Sequence, residues 1–188
     1  MNFLHTILEY IYLGYIHVFP FGYDHILFII SIILISSNLK SGIIQCSLFT
    51  LAHSITLIIS TLGLYIPNSN IIEPLISFSI IVTAIENILF DKIQLSRYIL
   101  VFFFGLIHGL GFANALIDAG ISNTNLLTTL IAFNVGVEIG QLAVIFTCYF
   151  TFIKWFRNKT WYKSRIVYPM STTIACIALY WTIERIVC

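Results

Sequence analysis

Long apolar runs separated by short polar stretches extend along the whole chain. The runs are too long for the strands of a barrel and do not alternate with a period of two, so they predict helices. Most of them approach or exceed the roughly 20 residues that a helix needs to cross a bilayer. The pattern therefore predicts an all-α, polytopic membrane helix bundle with six to seven transmembrane helices. The runs cover residues 2–18, 22–38, 43–65, 72–90, 97–117, 125–153 and 166–187.

The first run differs from the others because it is short and contains polar residues, among them His5, Glu9 and His17. These features favour a short N-terminal helix within residues 1–20 that is only partly inserted into the bilayer. A full seventh span is the alternative. No linker or low-complexity tract divides the rest, so residues 1–188 are expected to form a single integral membrane domain.

The composition supports the membrane interpretation and excludes several classes of protein. Hydrophobic residues make up 59% of the chain and charged residues 9%, whereas a soluble domain has about 25% charged residues. Water-soluble enzymes and disordered proteins are therefore excluded. The formal net charge of +1 offers no basic surface for nucleic acid. The expected partner is the lipid bilayer, and the sequence does not specify an oligomeric state.

The positive charges predict the orientation. Eight of the nine Lys and Arg residues fall in or beside alternate loops, and five of these lie between residues 154 and 165. The loops at 66–71 and 118–124 have none. The positive-inside rule makes the basic loops cytoplasmic, and we expect the inner membrane of a bacterium. The ninth positive charge, Arg185, lies beside Glu184 on the predicted outer side.

All five histidines lie within the apolar runs, together with the acids Glu9, Asp24, Glu86 and Glu138. An ionisable residue at the centre of a membrane helix costs roughly 2.5–3.5 kcal/mol on insertion scales and is a functional candidate by default. The alternative is a closed polar network that only holds the helices together.

The first group of candidates surrounds a predicted helix break. Pro20 and Gly22 interrupt the chain between His17 and the pair Asp24 and His25. A carboxylate and imidazoles together favour nickel, zinc, cobalt or copper over magnesium. Asp24 as a plain helix cap is the alternative.

Further candidates lie deeper in the predicted helices. His53 is about ten residues into its run, roughly 15 Å along a helix and near the bilayer midplane. His108 and Glu138 each lie between two glycines spaced four apart, a pattern that lets helices approach closely. The predicted metal ligands are Asp24, His25, His53, His108 and Glu138. Additional candidates are His17, Ser54, Glu86, Asn87, Asn134 and Gln141. For Glu86, the alternative to a functional role is a carboxylate that only extends to the membrane interface.

In combination, five motifs resemble the HupE/UreJ family, over residues 14 to 145 or so. They are Gly22-Tyr-Asp24-His25-Ile-Leu-Phe28, Phe49-Thr-Leu-Ala-His53-Ser-Ile-Thr-Leu57, Ile85-Glu86-Asn87, Phe104-Gly-Leu-Ile-His108-Gly-Leu-Gly-Phe-Ala113 and Phe133-Asn-Val-Gly-Val-Glu138-Ile-Gly-Gln141. The resemblance implies a small polytopic protein of a kind regarded as nickel or cobalt permeases. It also implies that Asp24, His25, His53, His108 and Glu138 are the motif residues.

Two departures from the family's nickel-permease branch leave the metal open. Six residues separate His17 from Asp24, where that branch has five. Phe104 and Gly111 stand where it has a histidine and a glutamate. The chain is closer to the second, less characterised branch.

Two functional hypotheses follow, with a third that is structural. The first is a permease for a divalent transition metal ion, nickel, cobalt or zinc. The second is an intramembrane zinc-dependent hydrolase of a lipid or membrane-embedded substrate, in which histidines and a carboxylate hold the metal and a second carboxylate is the base. The third is a closed hydrogen-bonded network. Three or more of these side chains that converge within about 2–2.2 Å of one zinc ion favour the hydrolase. Ligands spread along a polar path across the membrane favour the permease, and a dry, fully paired cluster favours the structural network.

Overall fold

The computed structural model describes residues 3–36, 38–66, 68–118 and 126–187. Every regular element in these ranges is helical, which confirms the all-α prediction. The predicted loop at 118–124 lies almost entirely outside the described residues. The helices are α1 (Phe3–Val18), α2 (Tyr23–Ile35), α3 (Leu39–Thr61), α4 (Ser69–Leu89), α5 (Leu95–Asp118), α6 (Leu126–Phe156) and α7 (Lys163–Val187).

Five helices, α3 to α7, are each long and apolar enough to cross a membrane. The pair α1 and α2 passes the same test only as one unit, bent by 68° at the break between the two helices. The described residues thus provide five candidate spans, or six if the bent pair is one span, which reaches the lower number of the predicted range. By length and composition, α1 and α2 together form either one broken span or a re-entrant segment, and the partial insertion of the N-terminal helix stays a prediction.

The break between α1 and α2 follows from Pro20 and Gly22. Proline disfavours helical backbone at the residue before it, and α1 ends at Val18. Gly22 lies so close to the end of α1 that a Cβ atom there would be 2.1 Å from the carbonyl oxygen of His17. Only glycine fits this turn.

The short helix α2 lies at the centre of the bundle, where most of its residues are buried. It contacts α3, α4 and α6, while the other helices form the close pairs α3 with α5, α1 with α6 and α4 with α7. Large apolar side chains on the outer surface are more than half exposed, for example Leu51, Phe103, Ile131 and Leu179. Such a surface is suited to lipid.

Both pairs of spaced glycines pack against a neighbouring helix, as predicted, but against different partners. A Cβ atom on Gly109 would lie 2.2 Å from the carbonyl oxygen of His53, so α5 is pressed against α3. A Cβ atom on Gly136 would lie 2.0 Å from the carbonyl oxygen of Ile11, so α6 is pressed against α1. These contacts fix the depth of His108 beside His53 and hold α1 inside the bundle.

Gly14 offers a direct test of the docking of α1. A Cβ atom at this position would lie 2.0 Å from the backbone oxygen of Phe133, so we expect Gly14→Ala to force α1 away from α6. Overpacking of this kind costs roughly 1–3 kcal/mol. Unfolding in mixed detergent micelles, followed by circular dichroism, would measure it. Leu13→Ala, on the more exposed side of the same turn, is the control, and equal stability of the two variants would contradict the predicted clash.

The loops that carry the predicted positive charges meet at one end of the bundle. A cavity of about 720 Å³ opens between the end of α2, the α4–α5 loop and the α6–α7 loop, and Lys92, Arg157, Lys159 and Lys163 line it. We call this the basic end. Arg97, counted with the loop charges in the sequence, is instead buried in the first turn of α5, with 1% of its surface exposed.

Candidate metal centre

Four of the five histidines converge in the interior, although they come from four different helices. His17 lies in the last turn of α1 and His25 in the first turn of α2, on either side of the break, while His53 and His108 lie well inside α3 and α5. The ring centroid of His25 is 4.8 Å from that of His17, 5.9 Å from that of His53 and 5.2 Å from that of His108. We call these four residues the histidine cluster. The fifth, His5, is exposed and lies 4.0 Å from Glu9.

The histidine cluster is poor in hydrogen bonds. Each of its four rings has at least one buried nitrogen without a hydrogen-bond partner, and His53 has two. The Nε2 atom of His108 lies 3.0 Å from the hydroxyl of Ser79. A buried polar atom without a partner costs about 1–3 kcal/mol, so several of them at one point favour a ligand over a closed structural network.

The spacing of the rings suits a shared ion. Two imidazoles bound to one ion through nitrogens at about 2.1 Å have ring centroids roughly 4.5–6.5 Å apart, depending on the angle at the metal. Four of the six pairs of rings have centroids 4.8 to 6.3 Å apart, within this range. As the side chains stand, no group of three or more His, Cys, Asp or Glu residues in the described part of the chain forms a ready ligand set. The rings would have to turn about their side-chain bonds to bind one ion together.

Aromatic side chains enclose the histidine cluster. The ring of Phe112 lies 3.8 Å from that of His17, and the ring of Phe49 lies 4.9 Å from that of His108. Phe28 and Phe133 complete the enclosure, with their rings 5.5 and 5.6 Å from His108 and His17. This apolar surrounding lowers the local polarity and so strengthens electrostatic interactions inside it.

A cavity of about 540 Å³ leads to the histidine cluster from the end of the bundle opposite the basic end. The side chains that line it include His17, His25 and His108, and also Asp24, Glu73 and Arg185. His53 is fully buried behind them. We call this cavity the vestibule.

Asp24 lies in the wall of the vestibule. Its Oδ2 atom forms an ion pair of 2.9 Å with Nη2 of Arg185, while its Oδ1 atom is buried without a partner. The N-cap of α2 is Gly22, with no side-chain capping bond, so Asp24 is not the cap residue, although its carboxylate lies in the first turn of α2. Sequence reasoning missed Arg185, although its position as the one Lys or Arg away from the basic loops was a usable signal.

A comparison with known protein families identifies the chain. A family model described as "HupE / UreJ protein" matches residues 1–185. The chain belongs to the HupE/UreJ family. No curated protein and no solved structure matches it. Its place in the second branch of the family, and its metal, remain predictions.

In this HupE/UreJ protein, Glu138 contacts hydroxyl groups of α3. Its Oε1 atom accepts a hydrogen bond of 2.6 Å from Ser47, and its Oε2 atom accepts one of 2.5 Å from Thr50. Gln141 joins this group because its Oε1 atom lies 2.8 Å from the Thr50 hydroxyl. Thr50 is one turn from His53 on α3, so Glu138 lies beside the helix of the histidine cluster. Its role as a metal ligand stays a prediction.

Two of the additional candidates turn to their own helices. Asn134 donates from Nδ2 to the carbonyl oxygen of Leu130, and its Oδ1 atom is buried without a partner. Ser54 donates to the carbonyl oxygen of Thr50. Neither contact orients the side chain towards a histidine, so an assisting role for Ser54 gains no support from them.

Glu86 and Asn87 lie in a buried polar network nearer the basic end. Glu86 accepts a bond of 3.3 Å from Arg97, and Asn87 donates one of 2.8 Å to the carbonyl oxygen of Ser31. Arg97 also donates to the same Ser31 oxygen and to Gln45. Glu86 therefore pairs inside the bundle instead of extending to the interface. Sequence reasoning missed Arg97 because its position beside a loop resembled that of the other positive charges.

Buried polar groups continue from the histidine cluster towards the basic end. On α4, Ser79, Thr83 and Asn87 repeat every four residues along one buried face, and Ser79 contacts His108. The network of Glu86 and Arg97 follows, and Gln45 then donates to Ser36, which lines the cavity at the basic end. In this HupE/UreJ protein, a discontinuous series of polar groups thus extends from one cavity to the other.

Proposed function

We propose that this protein is a permease for a divalent transition metal ion of the nickel, cobalt and zinc class, and that the histidine cluster holds the ion in passage. One observation carries the proposal. A discontinuous series of polar side chains extends from the vestibule, through the histidine cluster at the break between α1 and α2, to the cavity at the basic end. Broken helices with substrate sites near the bilayer midplane are typical of transporters.

The chemistry of the cluster determines the class of ion. Neutral imidazoles suit zinc, copper, nickel and iron better than magnesium or calcium. The enclosing phenylalanines add no ligands, so the site favours ions that bind nitrogen. The family's association with nickel and cobalt transport agrees with this choice.

The orientation proposed for the permease follows from the positive-inside rule. If the basic end faces the cytoplasm, the vestibule opens to the outside, and the ion enters between Asp24 and Glu73. The inner half is closed here because Phe28, Ile80 and Ala84 pack into the core. Passage therefore requires a rearrangement that exposes the polar groups of α4 to the basic end, as alternating access does.

Release of the ion is the demanding step, because four imidazoles would bind it tightly. Protons compete with metals for imidazole nitrogens, and passage through several weaker sites permits conduction. Glu138 and Gln141, on the helix that packs beside Thr50, offer oxygen atoms for such a weaker step. In this arrangement they act after the histidine cluster.

The convergence of the histidines also supports the second candidate, an intramembrane zinc hydrolase. Such an enzyme needs histidine ligands, an open coordination position and a carboxylate base. The buried, unpartnered Oδ1 atom of Asp24 could supply that base. We rank this function second because the polar groups extend beyond the cluster to the basic end, which hydrolysis does not require.

Uptake by proteoliposomes tests the two functions together. Purified protein, reconstituted in vesicles of phosphatidylethanolamine and phosphatidylglycerol, should accumulate radiolabelled nickel, cobalt or zinc faster than protein-free vesicles. The same vesicles, analysed by mass spectrometry for lipid cleavage products, report hydrolysis. Uptake of none of the three metals would contradict the permease, and zinc-dependent lipid cleavage without uptake would establish the hydrolase instead.

A further inference from the structure

Arg185 is the one positive charge that the topology of the basic loops leaves unexplained. It lies in the last turn of α7 at the mouth of the vestibule, and its side chain is about one fifth exposed, at 22%. Three contacts hold it: the ion pair of 2.9 Å with Asp24, a bond of 3.2 Å from Nη1 to the carbonyl oxygen of Glu73, and the ring of Trp181.

Acidic side chains surround Arg185 in the vestibule. Asp24, Glu73 and Glu184 line the vestibule, and Arg185 is the one Lys or Arg among the described residues of its lining. An entering divalent ion meets the carboxylate of Asp24 directly beside His25, and His25 belongs to the histidine cluster. In this structure the guanidinium of Arg185 is already paired with that carboxylate.

We propose that Arg185 is a specificity-determining residue that an entering divalent ion displaces from Asp24. The inference rests on the proposed function, because it assigns a role to a side chain at the entrance of the same site. A partly exposed ion pair is worth little, at most about 1 kcal/mol, so an ion that also gains imidazole ligands can replace it. A monovalent cation gains no comparable ligands and leaves the pair intact.

The tethered guanidinium also prevents the ion from being held too firmly. While Arg185 remains near the vestibule, its charge repels a bound divalent ion, and it can return to Asp24 as the ion leaves. The unpartnered Oδ1 atom of Asp24 gives the ion a first contact before the exchange is complete. Removal of Arg185 should therefore tighten binding and slow turnover.

Calorimetric titration of the purified protein with zinc and nickel salts, at fixed pH and ionic strength, tests this role. Arg185→Gln should tighten binding by up to about fivefold, the change in affinity equivalent to one partly exposed ion pair. Arg185→Lys keeps the charge and should stay near the wild-type affinity. Lys159→Gln, at the basic end, is the control for a lost positive charge and should change nothing. Circular dichroism and thermal unfolding verify that each variant is folded.

A second background separates exchange at Asp24 from long-range repulsion. In the Asp24→Asn background, the additional change Arg185→Gln should alter the affinity by less than about twofold, because no carboxylate remains for the metal ion to take from Arg185. An undiminished tightening in this background would overturn the inference, and so would unchanged or weaker binding in Arg185→Gln alone. If the wild-type protein binds neither metal, the proposed function fails and this inference fails with it. If only the response to Arg185 is absent, the proposed function stands.

Discussion

Replacement of His25 and His108 together by alanine is expected to reduce metal uptake by proteoliposomes to the level of protein-free vesicles. The two residues supply half of the histidine cluster, and their rings lie 5.2 Å apart. Loss of a group that merely orients a ligand lowers metal affinity about 10- to 100-fold, so loss of two ligands should exceed that range. Initial rates of uptake over a series of metal concentrations would measure the effect.

The one histidine outside the histidine cluster, His5, provides a matched control. His5 lies on the same helix as His17, α1, but it is exposed and lies near Glu9 instead of the cluster. His5→Ala should therefore transport as the wild type does. Because alanine leaves cavities in the core, the pair His25→Gln and His108→Gln should be measured as well. Unchanged uptake in the folded double variants would contradict the proposed permease function.

Arg97→Ala is expected to give the largest loss of stability among the single substitutions considered. Arg97 is buried beside Glu86 at 3.3 Å and also donates to Ser31 and Gln45. Its removal leaves the Glu86 carboxylate buried without its counter-charge. Breaking a buried ion pair in this way costs about 3–5 kcal/mol, a large part of a typical free energy of unfolding of about 5–15 kcal/mol. Unfolding in mixed detergent micelles would measure the difference.

Two controls isolate the uncompensated charge. Lys92→Gln removes an exposed positive charge at the same end of the bundle and should change the free energy of unfolding by less than about 0.5 kcal/mol. The double variant Glu86→Leu, Arg97→Met should recover much of the lost stability, because apolar residues of similar volume often replace a buried pair without loss. If Arg97→Ala were as stable as Lys92→Gln, the pair would contribute nothing to the fold.

Much of the fold could be predicted from the sequence, because a bilayer imposes a strong constraint on the order of residues. Helices must be long and apolar to satisfy their backbone in lipid, so the spans appeared directly as apolar runs. Pro20 and Gly22 marked the break between α1 and α2 because both act on the local backbone. The close packing at Gly109 and Gly136 followed from the spacing of glycines along a helix face. Each of these signals is local, and each was confirmed.

The candidate site was predictable only in part. The cost of an ionisable residue in a membrane singled out His25, His53 and His108 before any contact was known. His17 was named as a secondary candidate, yet it contributes to the cluster as fully as the others. Glu138 was named as a ligand, yet its hydrogen bonds go to Ser47 and Thr50. Residue type and depth do not determine the direction in which a side chain points around its helix.

The sequence by itself determined the class of protein, the positions of its helices and the presence of histidines and acids inside those helices instead of in the loops. The tertiary structure alone decided which of these groups meet. It joined four histidines from distant parts of the chain, paired Asp24 with Arg185 and buried Arg97 against Glu86. The physical reason is that insertion cost depends on composition along one helix, whereas convergence depends on how helices rotate and cross. Those rotations are set by packing between segments far apart in the chain.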